Sequence, residues 1–255
     1  VSEGAAQPVG SGGIPEATIS RLPRYWQVLR DVRGQTTISS QQLAEAAGVN
    51  PAQLRKDLSY LGSVGTRGVG YDVGRLIDMV SGHLIGPASR PFMIIGMGQL
   101  GSAMAAFTGY AERGFRIAAL IDIAPGLVGR RMRVAAAIGP TTMVVRSIDE
   151  IEQVVAETGA TLALLCVPVR VAQQTVDRLA AAGVDSILNF AADGVHAPEG
   201  VRLRDVDLGR ELQILAYYQQ HPGAPAARPE PAAAEPDAVP TSAASDPSND
   251  KKVSV

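Results

Sequence analysis

A single cysteine, Cys166, in 255 residues excludes an internal disulfide framework and any metal cluster built on several thiolates. It lies inside the apolar run 162–167, where a thiol reads as a small buried hydrophobe rather than a nucleophile. The three histidines, His83, His196 and His221, are scattered without metal-ligand spacing, so no metal is expected. No apolar stretch approaches the roughly 20 residues that a membrane span needs. The first residues also lack a basic region followed by an apolar one. The expectation is a soluble, cytoplasmic protein with no membrane partner. There is no serine elbow, no lysine after the glycines as in a phosphate-binding loop, and no repeat at solenoid periods. The formal net charge of −2 gives no global nucleic-acid signal, so charge must be counted locally.

Large apolar residues are missing from the far end. Residues 222–255 hold seven of the seventeen prolines and no Leu, Ile, Met, Phe, Tyr or Trp. Such a segment cannot bury enough apolar area to offset its ordering entropy and is expected to be disordered, as are the glycine-rich residues 1–13.

What is present begins with Gly96-Met97-Gly98-Gln99-Leu100-Gly101. An apolar run, 91–95, precedes it as a buried strand. Leu100, Met104, Phe107 and Ala111 follow at helical spacing. Asp122 closes the next apolar run. A dinucleotide site needs this arrangement. Gly96 permits the strand-to-helix turn, Gly98 lets the backbone approach a pyrophosphate, and Gly101 lets helix and strand pack closely. The helix N-terminus offers unpaired N–H groups to the anion. Asp122 can accept hydrogen bonds from a ribose diol and would repel a 2′-phosphate, which selects NAD(H) over NADP(H). Its other reading is a strand-end aspartate capping the following turn.

From about 90 to 206 strands and helices alternate: strand 91–95, helix 100–113, strand 116–121, helix 148–157, strand 161–167, helix 170–182, strand 185–190 and a short strand near 201–204. The alternation predicts an α/β unit, a Rossmann-type doubly wound parallel sheet over 87–206. The glycine- and proline-bearing stretch 86–91 is the natural linker.

Residues 14–86 read as helices followed by a glycine-rich hairpin. Ser39 with Gln42 forms a capping-box signature, and the helix so begun stops at Gly48. Asn50-Pro51 restarts helix after a turn short enough for a helix-turn-helix. Leu54, Leu58 and Leu61 form the stripe that should be buried, leaving Gln53, Arg55, Lys56, Ser59 and Tyr60 for other faces. Gln53 suits adenine, Lys56 suits guanine or phosphate, and Arg55 and Ser59 suit phosphate. A solvated helix face is the bland alternative. Arg67, at the centre of the glycine-rich turn 62–71, adds a wing that could lie on phosphates or in a minor groove. Between Arg21 and Arg67 seven basic residues face three acids, a local excess of four positive charges. An N-terminal winged-helix domain that binds double-stranded DNA is the stronger reading.

Residues 15–22, 54–63, 65–71, 96–101 and 187–191 resemble the Rex family, the bacterial redox-sensing transcriptional repressors. The resemblance spans 14 to about 220. It implies a homodimer of winged-helix and Rossmann domains that represses respiratory and fermentative genes. Such a dimer binds an inverted-repeat operator when NADH is scarce and releases it when NADH rises, with NAD+ as competing ligand. It also implies that the C-terminal helix, 207–221, is exchanged between subunits. The residues agree, because Leu208, Leu212 and Leu215 form one stripe that Ile214, Tyr217 and Tyr218 widen. Three positions depart from the family pattern. Phe107 stands where tyrosine is common and Gln27 where arginine is common, both associated with a polar contact to the acid that opens the exchanged helix, here Asp207. Arg24 or Tyr110 would then serve the switch. Ala192 stands where proline is common.

Two other classes use such a unit. An NAD-dependent dehydrogenase would need a catalytic group near the nicotinamide, and neither 166–168 nor 189–192 supplies a His, Lys or Tyr. No catalytic residue is therefore assigned. A CoA-binding domain of related topology is the other, against which Asp122 and the DNA-binding module argue. In the Rex-like reading, Val167, Pro168 and Phe190, with Leu208 of a partner, form an apolar environment for the nicotinamide, and Asn189 is a further cofactor-binding residue. That environment would favour neutral NADH over cationic NAD+, because burying an unpaired charge is costly.

Overall fold

The structure, a computed structural model, describes residues 13–222 apart from Ser63, Val64, Arg67, Pro87, Ala192 and Asp193. The expected disordered ends, but for Gly13 and Pro222, and the expected wing-tip Arg67 lie outside the described residues.

The N-terminal unit comprises α1 (Glu16–Asp31), β1 (Thr37–Ile38), α2 (Ser40–Ala47), α3 (Pro51–Tyr60), β2 (Tyr71–Asp72) and α4 (Val73–Leu84). The capping box at Ser39 is formed in both directions, and Gly48 ends α2 in the left-handed region at φ 67°. Asn50 Oδ1 accepts from the Gln53 N–H, with Pro51 in the first turn. Leu22, Tyr25, Leu29, Leu43, Leu54, Leu58, Leu76 and Val80 form the core that gathers the four helices. β1 pairs antiparallel with β2, and a bridge between Thr66 and Gly70 closes the hairpin. Gly70 has φ 98°, and a Cβ there would stand 2.4 Å from the Ile38 carbonyl oxygen, so no other residue fits this turn.

The second unit contains β3 (Arg90–Ile95), α5 (Gln99–Ala106), β4 (Phe115–Asp122), β5 (Arg131–Val134), β6 (Thr141–Ser147), α6 (Ile151–Thr158), β7 (Leu162–Leu165), α7 (Val169–Ala181), β8 (Ser186–Asn189), β9 (Arg202–Asp205) and α8 (Leu208–Gln220). Its seven strands run in the order β5-β6-β4-β3-β7-β8-β9, parallel except for the β5–β6 pair. Strand order reverses direction at β3, so the crevice beyond the ends of β3 and β7 is the switch point where such sheets take ligands.

Two features depart from the expected elements. The segment 131–147 forms β5 and β6, which were not foreseen. The expected helix 100–113 stops at Ala106, and a 3-10 helix, Thr108–Arg113, follows. Leu100 and Phe107 are exposed, and the buried face of α5 is Gly101 and Ala105. Small residues face the sheet because the helix runs so close to the glycine turn.

Helices α6 and α7 cover one face of the sheet over Met93, Ile95, Ile121, Ile187 and Leu165. On the other face α5 covers only part of the sheet, over Phe92, Ile94 and Leu120. The remainder is a bare apolar groove of about 690 Å³, lined by Phe92, Phe107, Tyr110, Leu164, Leu188 and Phe190 among others. No residue of α8 is buried, and Leu208, Leu212 and Leu215 are each at least 60 % exposed. No described helix is long and apolar enough to cross a membrane.

Candidate functional site

The crevice at the switch point measures about 390 Å³ and includes Gly96, Gly98, Gln99, Asp122, Val167 and Pro168 in its lining. Each glycine of the turn has its own geometric reason. Gly96 has φ 92°, and a Cβ there would lie 2.7 Å from the Cys166 carbonyl oxygen. At Gly101 it would lie 1.8 Å from the Gly96 carbonyl oxygen, a contact no side chain survives. Around Gly98 nothing lies within 4 Å, so its missing side chain leaves room for a group from outside. No side chain caps the N-terminus of α5. This is a cradle for a pyrophosphate, with free N–H groups and the positive end of the helix dipole.

Asp122 is 9 % exposed at the end of β4. Its Oδ2 accepts from the Met97 N–H at 2.6 Å and its Oδ1 from the Ala124 N–H at 2.8 Å. The turn-capping reading is therefore realised, and the carboxylate also braces the glycine turn through buried Met97. A carboxylate has about four acceptor sites, so these two bonds leave capacity for a ribose diol. Leu100 is exposed, whereas half-buried Cys166 is part of the crevice lining, and burial pushes its thiol up to about 11.

The residues expected beside the nicotinamide do not all lie together. Val167 and Pro168 line the crevice, but Phe190 lines the apolar groove on the other sheet face. Asn189 is buried: its Nδ2 donates to Asp205 on β9 at 2.6 Å and its Oδ1 accepts from the Ala191 N–H. Residues alternate across a strand, so neighbours 189 and 190 belong to opposite faces. The switch residues are not joined within one chain. Asp207 caps α8 by accepting from the Arg210 N–H, Tyr110 packs between Phe92 and Phe107 with its hydroxyl toward the Met104 sulfur, and Arg24 donates to the Ala47 carbonyl.

On the N-terminal unit, Arg55, Lys56 and Ser59 are exposed on α3, and Tyr60 is half-buried. Arg55 and Ser59 line a groove of about 740 Å³ with Ser39, Ser40, Thr66 and Gly68, between the helix-turn-helix and the hairpin. Arg55 reaches the Ser40 hydroxyl, and the Ser59 hydroxyl donates to the Lys56 carbonyl. Gln53 departs from its expected outward role, since its Nε2 donates to buried Asp57 at 2.8 Å. Asp57 itself was missed as a functional residue. The signal was there: an acid between Leu54 and Leu58 within the buried stripe. Two ion pairs link α1 to the second unit, Arg30 with Glu112 and Glu16 with Arg204. Among the described residues no group of His, Cys, Asp and Glu gathers as a metal site requires.

Residues 13–59 match the family model described as "Putative DNA-binding protein N-terminus", and residues 89–193 match that of the "CoA binding domain". The redox-sensing transcriptional repressor Rex of Streptomyces coelicolor is 49% identical over 212 residues, which cover 82% of this chain and 79% of that protein. Two crystal structures superpose on most of the chain. RSP in complex with beta-NAD+ and operator DNA has a TM-score of 0.74 at 32% identity, covering 83% of this chain and 95% of that one. RSP in complex with beta-NADH has a TM-score of 0.69 at 30% identity, covering 83% and 97%. With its winged helix, glycine turn and strand-end acid set on one chain, this protein belongs to the Rex family of redox-sensing transcriptional repressors.

Proposed function

We propose that this chain represses transcription as a homodimer, binding an inverted-repeat operator when NADH is scarce and releasing it when NADH fills the crevice. The observation that carries this reading is the glycine cradle with Asp122 behind it, on the same chain as an outward-facing α3 beside a hairpin wing. The Rex neighbours crystallised with beta-NAD+ and operator DNA and with beta-NADH support it. Gly96, Gly98 and Gly101, with the backbone N–H groups at Gln99 and Leu100, would hold the pyrophosphate, the Met97 N–H being taken by Asp122. Asp122 would accept from a ribose diol, and Val167 and Pro168 would border the nicotinamide. The dinucleotide supplies a ring that is cationic when oxidised and neutral when reduced, and an apolar lining favours the neutral form.

Lys56 and Arg67 are the proposed contacts to bases and phosphates, with Arg55, Ser59 and Tyr60 beside them. Gln53 is a weaker candidate because Asp57 holds its amide nitrogen. A second copy of the chain is the proposed partner of α8. Its unburied apolar stripe and the bare apolar groove are complementary defects that an exchanged helix would cure together.

The same reading makes the protein a sensor working in the cytoplasm, and not an enzyme. The described side chains lining the crevice include no His, Lys or Tyr, and the Cys166 thiol stays protonated at neutral pH. The match to the CoA-binding family model favours a rival ligand, CoA. Asp122 opposes it, because CoA carries a phosphate on its adenosine ribose. Calorimetric titration of the full chain with NADH, NAD+, NADPH and CoA tests the assignment. NADH binding most tightly is the expected order; CoA or NADPH outcompeting NADH would overturn it.

A further inference from the structure

Among the described residues of the N-terminal unit Asp57 is the most heavily used side chain, and nothing in DNA contact or cofactor binding calls for it. It is fully buried on α3, between exposed Lys56 and buried Leu58. Its Oδ1 accepts from Thr18 Oγ1 at 3.0 Å, Arg21 Nη2 at 2.8 Å and Gln53 Nε2 at 2.8 Å. Its Oδ2 accepts from Arg21 Nε at 2.7 Å and Tyr25 Oη at 2.6 Å. Thr18, Arg21 and Tyr25 repeat at helical spacing, so all three lie on one face of α1. Burial alone would raise the Asp57 pKa, but the hydrogen bonds from Arg21, Tyr25, Gln53 and Thr18 outweigh it and hold it below the usual carboxylate value.

A buried carboxylate stays charged only while its donors stay in place, so this bouquet tolerates little rotation. Successive helix residues are about 100° apart. Residues two positions away on either side, Arg55 and Ser59, therefore point almost opposite to Asp57, and these are exposed residues beside the wing groove. A roll of α3 by one residue, about 100°, would swing both away from the groove and bring a neighbour of Asp57, Lys56 or Leu58, to face α1 in its place.

Resting on the operator-binding reading above, we infer that Asp57 is a positioning residue that sets the roll of α3 against α1 and thereby which side chains meet the bases. It touches no DNA. Its loss therefore lowers sequence discrimination while leaving attraction to phosphates intact. A hydrophobic interface alone would hold α3 at the right depth with less control of rotation.

The test uses the full chain with a duplex recovered by the wild-type protein from a random-sequence pool and a scrambled duplex of equal length. Asp57→Asn keeps the shape and removes the charge; Tyr25→Phe removes one hydrogen bond and keeps the charge. The expected result is a fall in preference for the selected duplex of roughly ten- to a hundredfold in Asp57→Asn, the scale of one or two lost base contacts. Tyr25→Phe should show a smaller fall. Affinity for the scrambled duplex, its salt slope and NADH affinity should not change. If Asp57→Asn fails to fold, as judged by circular dichroism, Tyr25→Phe carries the test. Wild-type preference in a folded variant would overturn the inference. So would a parallel change for both duplexes, the mark of lost fold or altered net charge. A wild-type chain without any preference would overturn the operator-binding reading itself, which separates the two failures.

Discussion

Asp122 carries two duties with one carboxylate. It holds the Met97 N–H and so the shape of the glycine turn, and it faces the crevice where a ribose diol would bind. Asp122→Ala therefore loses acceptor and brace together, and NADH affinity should fall by about 1–3 kcal/mol, the range for a buried charge-assisted hydrogen bond. DNA binding without cofactor should persist, because α3 and its core lie in the other unit. Calorimetry reads the first effect and an operator gel shift the second. Unchanged NADH affinity would contradict the ribose role, and lost DNA binding would place Asp122 in the fold rather than the site. The strand-end acid was legible at this scale because the glycines before it and the apolar run around it leave few other places for an ion. Whether it caps or binds was not, since both uses need the same residue at the same spot.

Among the elements, α1 and α3 act as a clamped pair. The pair has a pH signature through its titratable members. Asp57 is held below its ordinary value in the fold, so its contribution is complete above about pH 4 and is lost as pH falls through its folded value. Tyr25 is pushed upward, first by burial and then by its bond to Asp57, so its contribution is complete below about pH 10 and is lost as pH rises further. Trp26, the chain's one tryptophan, lies on α1 and donates to Ser81 on α4, so its fluorescence reports this unit. Urea midpoints read by Trp26 should be flat between these limits and fall outside them. Tyr25→Phe should remove the alkaline loss; an unaltered alkaline limb would assign it to other groups. Element boundaries here were plain in the sequence, since Ser39, Gly48 and Asn50 are strong local punctuation. Elsewhere they were not. β5 alternates Arg131 and Arg133 outward with Met132 and Val134 inward over only four residues at a sheet edge, too short a pattern to stand out. The break of α5 at Phe107 has no local signal such as proline. The side of Phe190 depends on which sheet face β8 turns toward the crevice, which periodicity of two cannot say.

At the scale of the whole molecule, one copy leaves apolar surface uncovered. An apolar groove lies bare on the sheet, and α8 buries none of its residues. Removing residues 222–255 should leave dimerisation and NADH response unchanged, because the segment has no large apolar side chain. Removing 207–255 also takes Leu208, Leu212, Ile214, Leu215, Tyr217 and Tyr218, each worth about 1.5–3 kcal/mol when buried. That truncation should sediment as monomer or precipitate, and lose the coupling of NADH to DNA. Two winged helices read an inverted repeat only when one interface fixes their spacing. A stable, NADH-responsive dimer without 207–255 would remove α8 from the interface.

The proposed repressor needs its crevice coupled to α3, and a ligand can shift the DNA-competent population only through unequal affinity for the two forms. Fluorescence anisotropy of a labelled operator duplex, titrated with NADH at fixed NAD+, measures this coupling directly. Release by NADH is the expected result, with the midpoint moving to higher NADH as NAD+ is raised, because both compete for the Gly96–Gly101 crevice. An anisotropy that stays at its bound value while calorimetry registers NADH in the crevice would contradict the coupling.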